Sequence, residues 1–409
     1  MTKDSKLRSI TLIILAGFVI AIIYHSIMRF YFHMGYPYNT FLFRSDDRFM
    51  DFFNPVRGSF DRDPYDPDRI NFIGGYFPFG YFITFLFSLI KSRAIGLVLF
   101  LGGFLSYLGL YVKWYLGREP VDNKLIDRLI HFAMICILAY LPYPVFFIVD
   151  RANFDMVLFI LISLSVIYYD RKKYTVSIVL LSCAIAMKGY PAFLLGLFLL
   201  DRRYKELLIA CLLVPGLTLA SLALFKDGLF VEFHKMVVSF QSASSIAFGG
   251  GSLVRFNSSL YTALIYLLSK INPNIATSAQ FNVVYLLFMV SSYTLVIYLL
   301  AKRPYPFWAR LLILVTTMIL LFQTSGDYRL MMLYPPMMLF LISEHKSKAD
   351  LYIVVLLGLI MVPKAYMILQ NDANIGLLIN PLLLIFLLVI TLISFWNKGA
   401  NLAELNENR

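Results

Sequence analysis

The chain has 409 residues, 60% of them hydrophobic and only 15% charged, with a mean hydropathy of +0.74. Soluble domains carry roughly 25% charged residues, so a soluble enzyme is excluded: this much apolar surface needs lipid to cover it. The net charge of +12 does not point to nucleic acid, because Lys and Arg fall in short clusters between apolar runs, as the cytoplasmic loops of membrane proteins do.

In chain order, Lys3, Lys6 and Arg8 precede an apolar run over 9–28. No small-residue cleavage site follows it, so it reads as a retained first helix with its N-terminus in the cytoplasm. A polar, aromatic-rich segment at 29–73 then forms a first extracytoplasmic loop. Apolar runs follow at 76–90, 94–112, 129–149, 152–169, 174–200, 207–225, 259–270, 280–301, 308–325, 330–343, 351–369 and 376–396. Runs of about 20 apolar residues span a bilayer. The expected fold class is therefore all-α: a polytopic transmembrane helical bundle of about 10–13 membrane helices, forming one integral domain over 1–409.

Basic clusters at Lys91/Arg93, Arg171–Lys173, Arg202/Arg203/Lys205, Lys302/Arg303 and Lys346/Lys348 should mark the inner side. Strict alternation of every run does not satisfy them all. Two segments explain the mismatch: 129–149 carries Pro142 and Pro144, and 259–270 is short. Broken segments at membrane depth are tolerated where they line a cavity or are buried in protein, so at least one re-entrant or partial helix is expected. The segment 226–258 reads as a second long extracytoplasmic loop, and loops of such length are usually functional. No internal repeat is visible. Cys136, Cys183 and Cys211 lie inside apolar runs without metal-ligand spacing, so they read as packing residues.

The first loop is rich in Asp and Arg, and most of it reads as a self-neutralising solvated surface. Asp47 and Asp51 differ, because Phe49, Phe52 and Phe53 surround them. In a helix their four-residue spacing places both on one face, and a carboxylate held against rings at a membrane surface suits a general base. The neighbouring Asp46 and Asp47 are the one pair considered for a divalent ion, which an adjacent pair supports poorly; no cofactor is expected. Further on, Asp150, Arg151, Asn153 and Asp155 sit at the mouth of a helix. Lys188 interrupts a long apolar run, where a cation costs several kcal/mol. It reads either as a phosphate ligand or as a side chain snorkelling to the interface near Gly189-Tyr190-Pro191. Arg329, with Asp327, is a weaker example of the same kind. Gly249–Gly251 with Arg255 and Asn257 offer amides and a guanidinium to an anion. No Walker motif, dinucleotide fingerprint or HExxH occurs, so any phosphate bound here belongs to something other than a cytoplasmic nucleotide.

Taken in order, SDDRFMDFFNPVRG, DPYDP, YFPFGYF, DRANFDMVLFIL, YDRKKY, MKGYPAFLLGLFLLDRR and FNSSLYTALIYLL resemble the membrane-embedded glycosyltransferases of family 87, relatives of the polyprenol-phosphate-mannose-dependent mannosyltransferases. The resemblance covers about 40–270. It departs from the family pattern at YFP, where the family has a YPP-like sequence, and at Asp-Arg-Ala-Asn, where it has Gly-Gln-x-Asn. The resemblance implies a C-type fold and inverting transfer of a mannose-like hexose or pentose. The donor would be a polyprenyl-phosphate sugar and the acceptor a glycolipid or glycan hydroxyl outside the cytoplasmic leaflet. Asp47 falls nearest the family's catalytic acid by its spacing to Tyr65, with Asp51 its rival. Lys188 and Arg255, together with Arg329, would steady the leaving phosphate, and Asp46, Tyr65, Tyr76, Asn153, Tyr190 and Asn257 would contact substrate. The low cysteine content and the lack of a eukaryote-style lumenal signature fit a bacterial inner membrane, with membrane lipids and no nucleic acid as partners. The rival readings are a transporter or flippase, which predicts midplane charges and repeat symmetry, and a polysaccharide polymerase or ligase, for which His234, Lys235 and Arg255 would be the residues of interest.

Overall fold

The structure, a computed structural model, describes residues 1–66, 75–117, 125–249, 256–272, 275, 278–344, 346–369 and 373–396, with backbone alone over 241–249 and at 396. Seventeen α-helices occur among the described residues: α1 Lys3–Phe30, α2 Met50–Ser59, α3 Pro78–Ser88, α4 Arg93–Leu116, α5 Leu125–Tyr140, α6 Tyr143–Arg151, α7 Asp155–Asp170, α8 Tyr174–Met187, α9 Leu195–Leu200, α10 Tyr204–Leu224, α11 Leu229–Gly249, α12 Leu260–Leu268, α13 Ala279–Lys302, α14 Phe307–Leu321, α15 Tyr334–Ile342, α16 Ala349–Ile360 and α17 Gly376–Trp396. Extended pairing is confined, among those residues, to isolated bridges such as Asn257 with Gly326. Five helices (α1, α4, α10, α13 and α17) are long and apolar enough to cross a membrane, and five further apolar segments of 10–17 residues are shorter. The protein is an all-α, multi-pass membrane protein.

Helix starts follow local chemistry. Thr2, Ser259 and Ser278 cap α1, α12 and α13 by accepting the amides of Ser5, Thr262 and Phe281, which satisfies N–H groups that have no partner within the helix. Pro78 and Pro335 sit in first turns, where a missing N–H costs nothing. The run over 129–149 breaks ahead of its prolines: α5 and α6 meet at a 50° bend, because Pro142 cannot donate to the ladder. The run over 174–200 likewise breaks at Lys188, where α8 gives way to the 3₁₀ turn Tyr190–Leu194.

Two expectations are corrected. The segment 226–258 is not simply loop, since α11 occupies Leu229–Gly249; its alternating polar and apolar residues fall below the hydropathy of a spanning run but still build a helix. Asp47 and Asp51 do not share one helix either. Asp47 ends the 3₁₀ turn Ser45–Asp47, Asp51 opens α2, and Phe49 between them is left-handed, at φ 62°.

The contacts divide the chain into two units. Unit 1 comprises Met1–Leu42, Ser106–Phe147 and Val254–Arg409; unit 2 comprises Phe43–Leu105 and Ile148–Leu253. In unit 1, α14 is buried continuously from Leu311 to Leu321 and acts as the central rod, as an all-round apolar helix should. It packs on α15 and α17, and α1 packs on α16. That last contact is close because it uses glycine: a Cβ on Gly17 would stand 2.3 Å from Val362, and one on Gly358 would stand 2.8 Å from Ile13. Lipid tails are as apolar as Leu, so such close backbone approach, rather than a hydrophobic drive, holds membrane helices together. In unit 2, α7 and α8 pair, α8 packs on α10 and α3, and α3 carries α2. This set positions the candidate site.

Candidate active site

The site is built where the chain 43–51 meets the chain 150–155, both in unit 2. Asp150 anchors the first to the second: its carboxylate accepts the Phe43 amide and Nε of Arg48, and its carbonyl accepts the Phe49 amide at 2.9 Å. Arg151, at the end of α6, then forks between the two candidate acids. One guanidinium nitrogen donates to the backbone carbonyl of Asp47 at 2.7 Å and to its Oδ2 at 2.8 Å, and the other donates to Asp51 Oδ1 at 2.5 Å. Its planar face lies over the Phe43 ring at 4.3 Å. A planar fork of fixed donors suits this task, and a lysine would not reproduce it.

The second oxygen of Asp51 accepts Nδ2 of Asn153 at 2.7 Å. Asp51 is thus engaged at both oxygens. Asp47 Oδ1 has no hydrogen-bond partner among the described residues. Asp47 is also the more open carboxylate, its side chain 39% exposed against 24% for Asp51. Two non-glycine residues take left-handed backbone beside this cluster: Phe49 between the two acids and Ala152 (φ 48°) between Arg151 and Asn153. Such conformations cost roughly 1–2 kcal/mol each and persist where the surroundings over-determine them, as at active sites. Beneath, Phe52 and Phe154 stack at 5.8 Å with rings 5° from parallel, flanked by Phe87 and Phe100. Each of these two rings is the chain neighbour of a site residue, so the aromatic floor fixes Asp51 and Asn153 from below.

Behind the carboxylates a polar chain runs into the unit. Asn153 Oδ1 accepts the Asp155 amide at 2.9 Å and the Tyr76 hydroxyl at 3.4 Å. The Tyr65 hydroxyl donates to the Tyr76 carbonyl at 3.1 Å. Lys188 donates to Asp155 Oδ1 at 2.5 Å and stands 4.3 Å over the Tyr76 ring, while the Tyr190 hydroxyl donates to Asp155 Oδ2 at 3.2 Å. The structure therefore brings together seven of the residues picked out by sequence: Asp47, Asp51, Tyr65, Tyr76, Asn153, Lys188 and Tyr190. Asp46 stands apart from them, paired with Arg44 at 2.7 Å and exposed. Arg255 lies outside the described residues.

Asn257 and Arg329 belong to unit 1, in a buried polar cluster of its own. Asn257 Oδ1 accepts the amides of Ser259 and Ser325. Arg329 donates to the Thr324 carbonyl and lies 5.3 Å from the Phe322 ring. Asp327 accepts Ser258 at 2.6 Å, Tyr143 at 3.3 Å and Asn380 at 3.4 Å.

Among the described residues one cluster has metal-ligand spacing, Asp63, Asp227 and Glu232 in unit 2. The cation there is the protein's own. Lys235 lies 2.8 Å from Asp63, 2.5 Å from Asp227 and 3.6 Å from Glu232. Against the cost of its burial, hydrogen bonds to Asp227 and Asp63 hold its pKa above the usual lysine value.

Sequence reading placed Arg151 at a helix mouth but did not single it out. The signal was the density of ionisable residues in DRANFD, yet its partners lie 104 and 100 positions away, beyond any local spacing rule. Asp155 stood at the same helix mouth, but its pairing with Lys188, 33 positions away, was unread for the same reason.

A model of glycosyltransferase family 87 matches residues 72–324, more than half of the chain. No curated protein and no solved structure matches.

Proposed function

Since the chain belongs to glycosyltransferase family 87 and is a membrane glycosyltransferase, we propose that it moves a sugar from a polyprenyl-phosphate donor to a hydroxyl of a lipid or glycan on the extracytoplasmic side, with Asp47 as the general base. The observation that carries this reading is the fork of Arg151. It holds Asp47 by one oxygen and leaves the other without a hydrogen-bond partner among the described residues, while both oxygens of Asp51 are occupied.

In the proposed reaction the acceptor hydroxyl gives its proton to Asp47 Oδ1 as its oxygen bonds to the anomeric carbon. The bond from that carbon to the phosphate oxygen breaks on the opposite face, and the phosphate leaves with the electron pair. The configuration inverts, and no covalent enzyme intermediate is needed. Asp51 and Arg151 set the position of Asp47, the guanidinium offsetting the like charges of the two carboxylates. A positioned base of this kind contributes about 10²- to 10⁴-fold to the rate. Lys188, whose charge Asp155 already meets, is not assigned to steadying the departing phosphate.

The test is transfer from radiolabelled polyprenyl-phosphate sugars to a membrane lipid extract by purified protein. Wild type is expected to consume donor and label a lipid or glycan, Asp47→Asn to lose that transfer, and Asp51→Asn to retain a measurable fraction. Donor left intact, while lipid-linked glycan crosses proteoliposome membranes, would instead establish a transporter.

A further inference from the structure

We propose that Lys188 is a positioning residue for the catalytic carboxylates and not a ligand of the donor phosphate. This rests on the reading of Asp47 as the base.

The argument begins with an amide. An asparagine presents an oxygen on one side and an NH₂ on the other, and nothing intrinsic decides which faces where. At Asn153 the choice is forced. Two donors, the Asp155 amide at 2.9 Å and the Tyr76 hydroxyl at 3.4 Å, converge on Oδ1. Nδ2 is thereby turned to Asp51 Oδ2 at 2.7 Å. Asp51 in turn fixes one arm of Arg151, whose other arm holds Asp47.

Lys188 controls both donors. Its ammonium pairs with the carboxylate of Asp155, the residue whose backbone N–H is the first donor. It also lies 4.3 Å over the ring of Tyr76, whose hydroxyl is the second. The backbone supports the arrangement: the Met187 carbonyl accepts the Phe77 amide at 2.9 Å. A Cβ on Gly80 would stand 2.9 Å from that same carbonyl, so α3 seats against the lysine segment only because glycine is there.

Buried against Asp155, the ammonium could reach a phosphate only by moving away from its partner. The Asp155 side chain is fully buried and that of Lys188 is 8% exposed. Drawing the ammonium toward a phosphate would take the cation from a buried carboxylate and leave its charge to the Tyr190 hydroxyl, and breaking a buried ion pair is far more costly than keeping it. The pair is at home as a fixed strut.

The experiment compares wild type with Lys188→Met, the double variant Lys188→Met/Asp155→Leu, Tyr76→Phe and Asn153→Ala. Readouts are kcat, donor KM and direct binding of polyprenyl phosphate. Replacing both members of a buried ion pair with apolar residues is often tolerated, while removing one is not. The expected results are a loss in kcat of about 30-fold or more for Lys188→Met, with donor KM and polyprenyl-phosphate binding unchanged within about threefold, and recovery of about tenfold in the double variant, a split that marks an effect on the transition state. Tyr76→Phe and Asn153→Ala, which touch no charge at Lys188, should lower kcat in the same sense with unchanged KM; they carry the test if Lys188→Met does not fold. Polyprenyl-phosphate binding weakened about tenfold in Lys188→Met and not recovered in the double variant would overturn the proposal, as would full kcat in both Tyr76→Phe and Asn153→Ala. Asp47→Asn runs in the same series: full activity there overturns the base assignment, while the binding data on Lys188 stand on their own.

Discussion

The candidate site of unit 2 and the polar cluster around Asp327 in unit 1 satisfy their carboxylates by different means. In unit 2 the acids meet cations: Asp47 and Asp51 share Arg151, and Asp155 takes Lys188. In unit 1, Asp327 is held by three neutral donors, Ser258, Tyr143 and Asn380. Lys364 feels its charge, yet donates instead to the carbonyls of Ile360 and Val362. Burial raises the pKa of Asp327, and burial pushes Lys364 down to about 7. The difference teaches what each arrangement is for. A fully buried carboxylate bonded at both oxygens by neutral donors from three other segments works as a staple between them. A carboxylate held by one oxygen on a charged fork keeps its other oxygen open for chemistry.

The sharpest way to break that comparison is to neutralise one acid in each unit. Asp47→Asn is expected to lower kcat by about 10²- to 10⁴-fold, with little change in stability because Asp47 is partly exposed. Asp327→Asn should stay within about tenfold of wild-type activity and lose about 1–2 kcal/mol of stability, the cost of disturbed buried hydrogen bonds. Parallel transfer assays and unfolding curves in detergent decide it, and equal activity losses would erase the distinction.

Next in size is Arg151→Met. Removing one partner of a buried pair costs about 3–5 kcal/mol. The exposure of Asp47 and Asp51 discounts this to about 2 kcal/mol. Activity should fall with stability, and Arg151→Lys should not restore it, since an ammonium cannot fork between two acids.

Lys364, buried on the carbonyls of Ile360 and Val362, gives a pH signature. The pKa of Lys364 in the fold is about 7, below its unfolded value of roughly 10.4. Between these values the unfolded chain binds more protons, so stability rises with pH across that window. Wild type should gain about 1–2 kcal/mol from pH 7 to pH 9 relative to Lys364→Met, read as the difference between their unfolding midpoints. A gain of the same size in both proteins would show that Lys364 is charged and solvated. The smallest effect concerns strain. Ala152→Gly should relieve the left-handed backbone and shift stability by no more than about 1 kcal/mol, leaving kcat intact, whereas Ala152→Val should reduce both.

Much of this was legible in the sequence, and the limits follow from range. Apolar run length gives the helices, and Pro142 and Lys188 mark breaks because a missing N–H and a buried cation act locally. Asp47 and Asp51 stood out by their aromatic neighbours. What could not be read is which distant group answers each charge: Arg151 for the two acids, Asp155 for Lys188, or Lys235 for Asp63, 172 positions away. The helix α11 was hidden because its polar residues depress the hydropathy on which the loop assignment relied. The network around Asp327 draws on four chain segments, and GDYR alone showed only a charged turn.

Azide tests the central claim most directly, because it is a nucleophile that needs no base. With polyprenyl-phosphate sugar as donor, azide attacks the anomeric carbon while the phosphate departs with its electron pair. The account predicts that Asp47→Ala loses transfer to hydroxyl acceptors yet forms the glycosyl azide of inverted configuration. Failure of Asp47→Ala to form the azide while its donor binding is intact, or retention of hydroxyl transfer without Asp47, would contradict it.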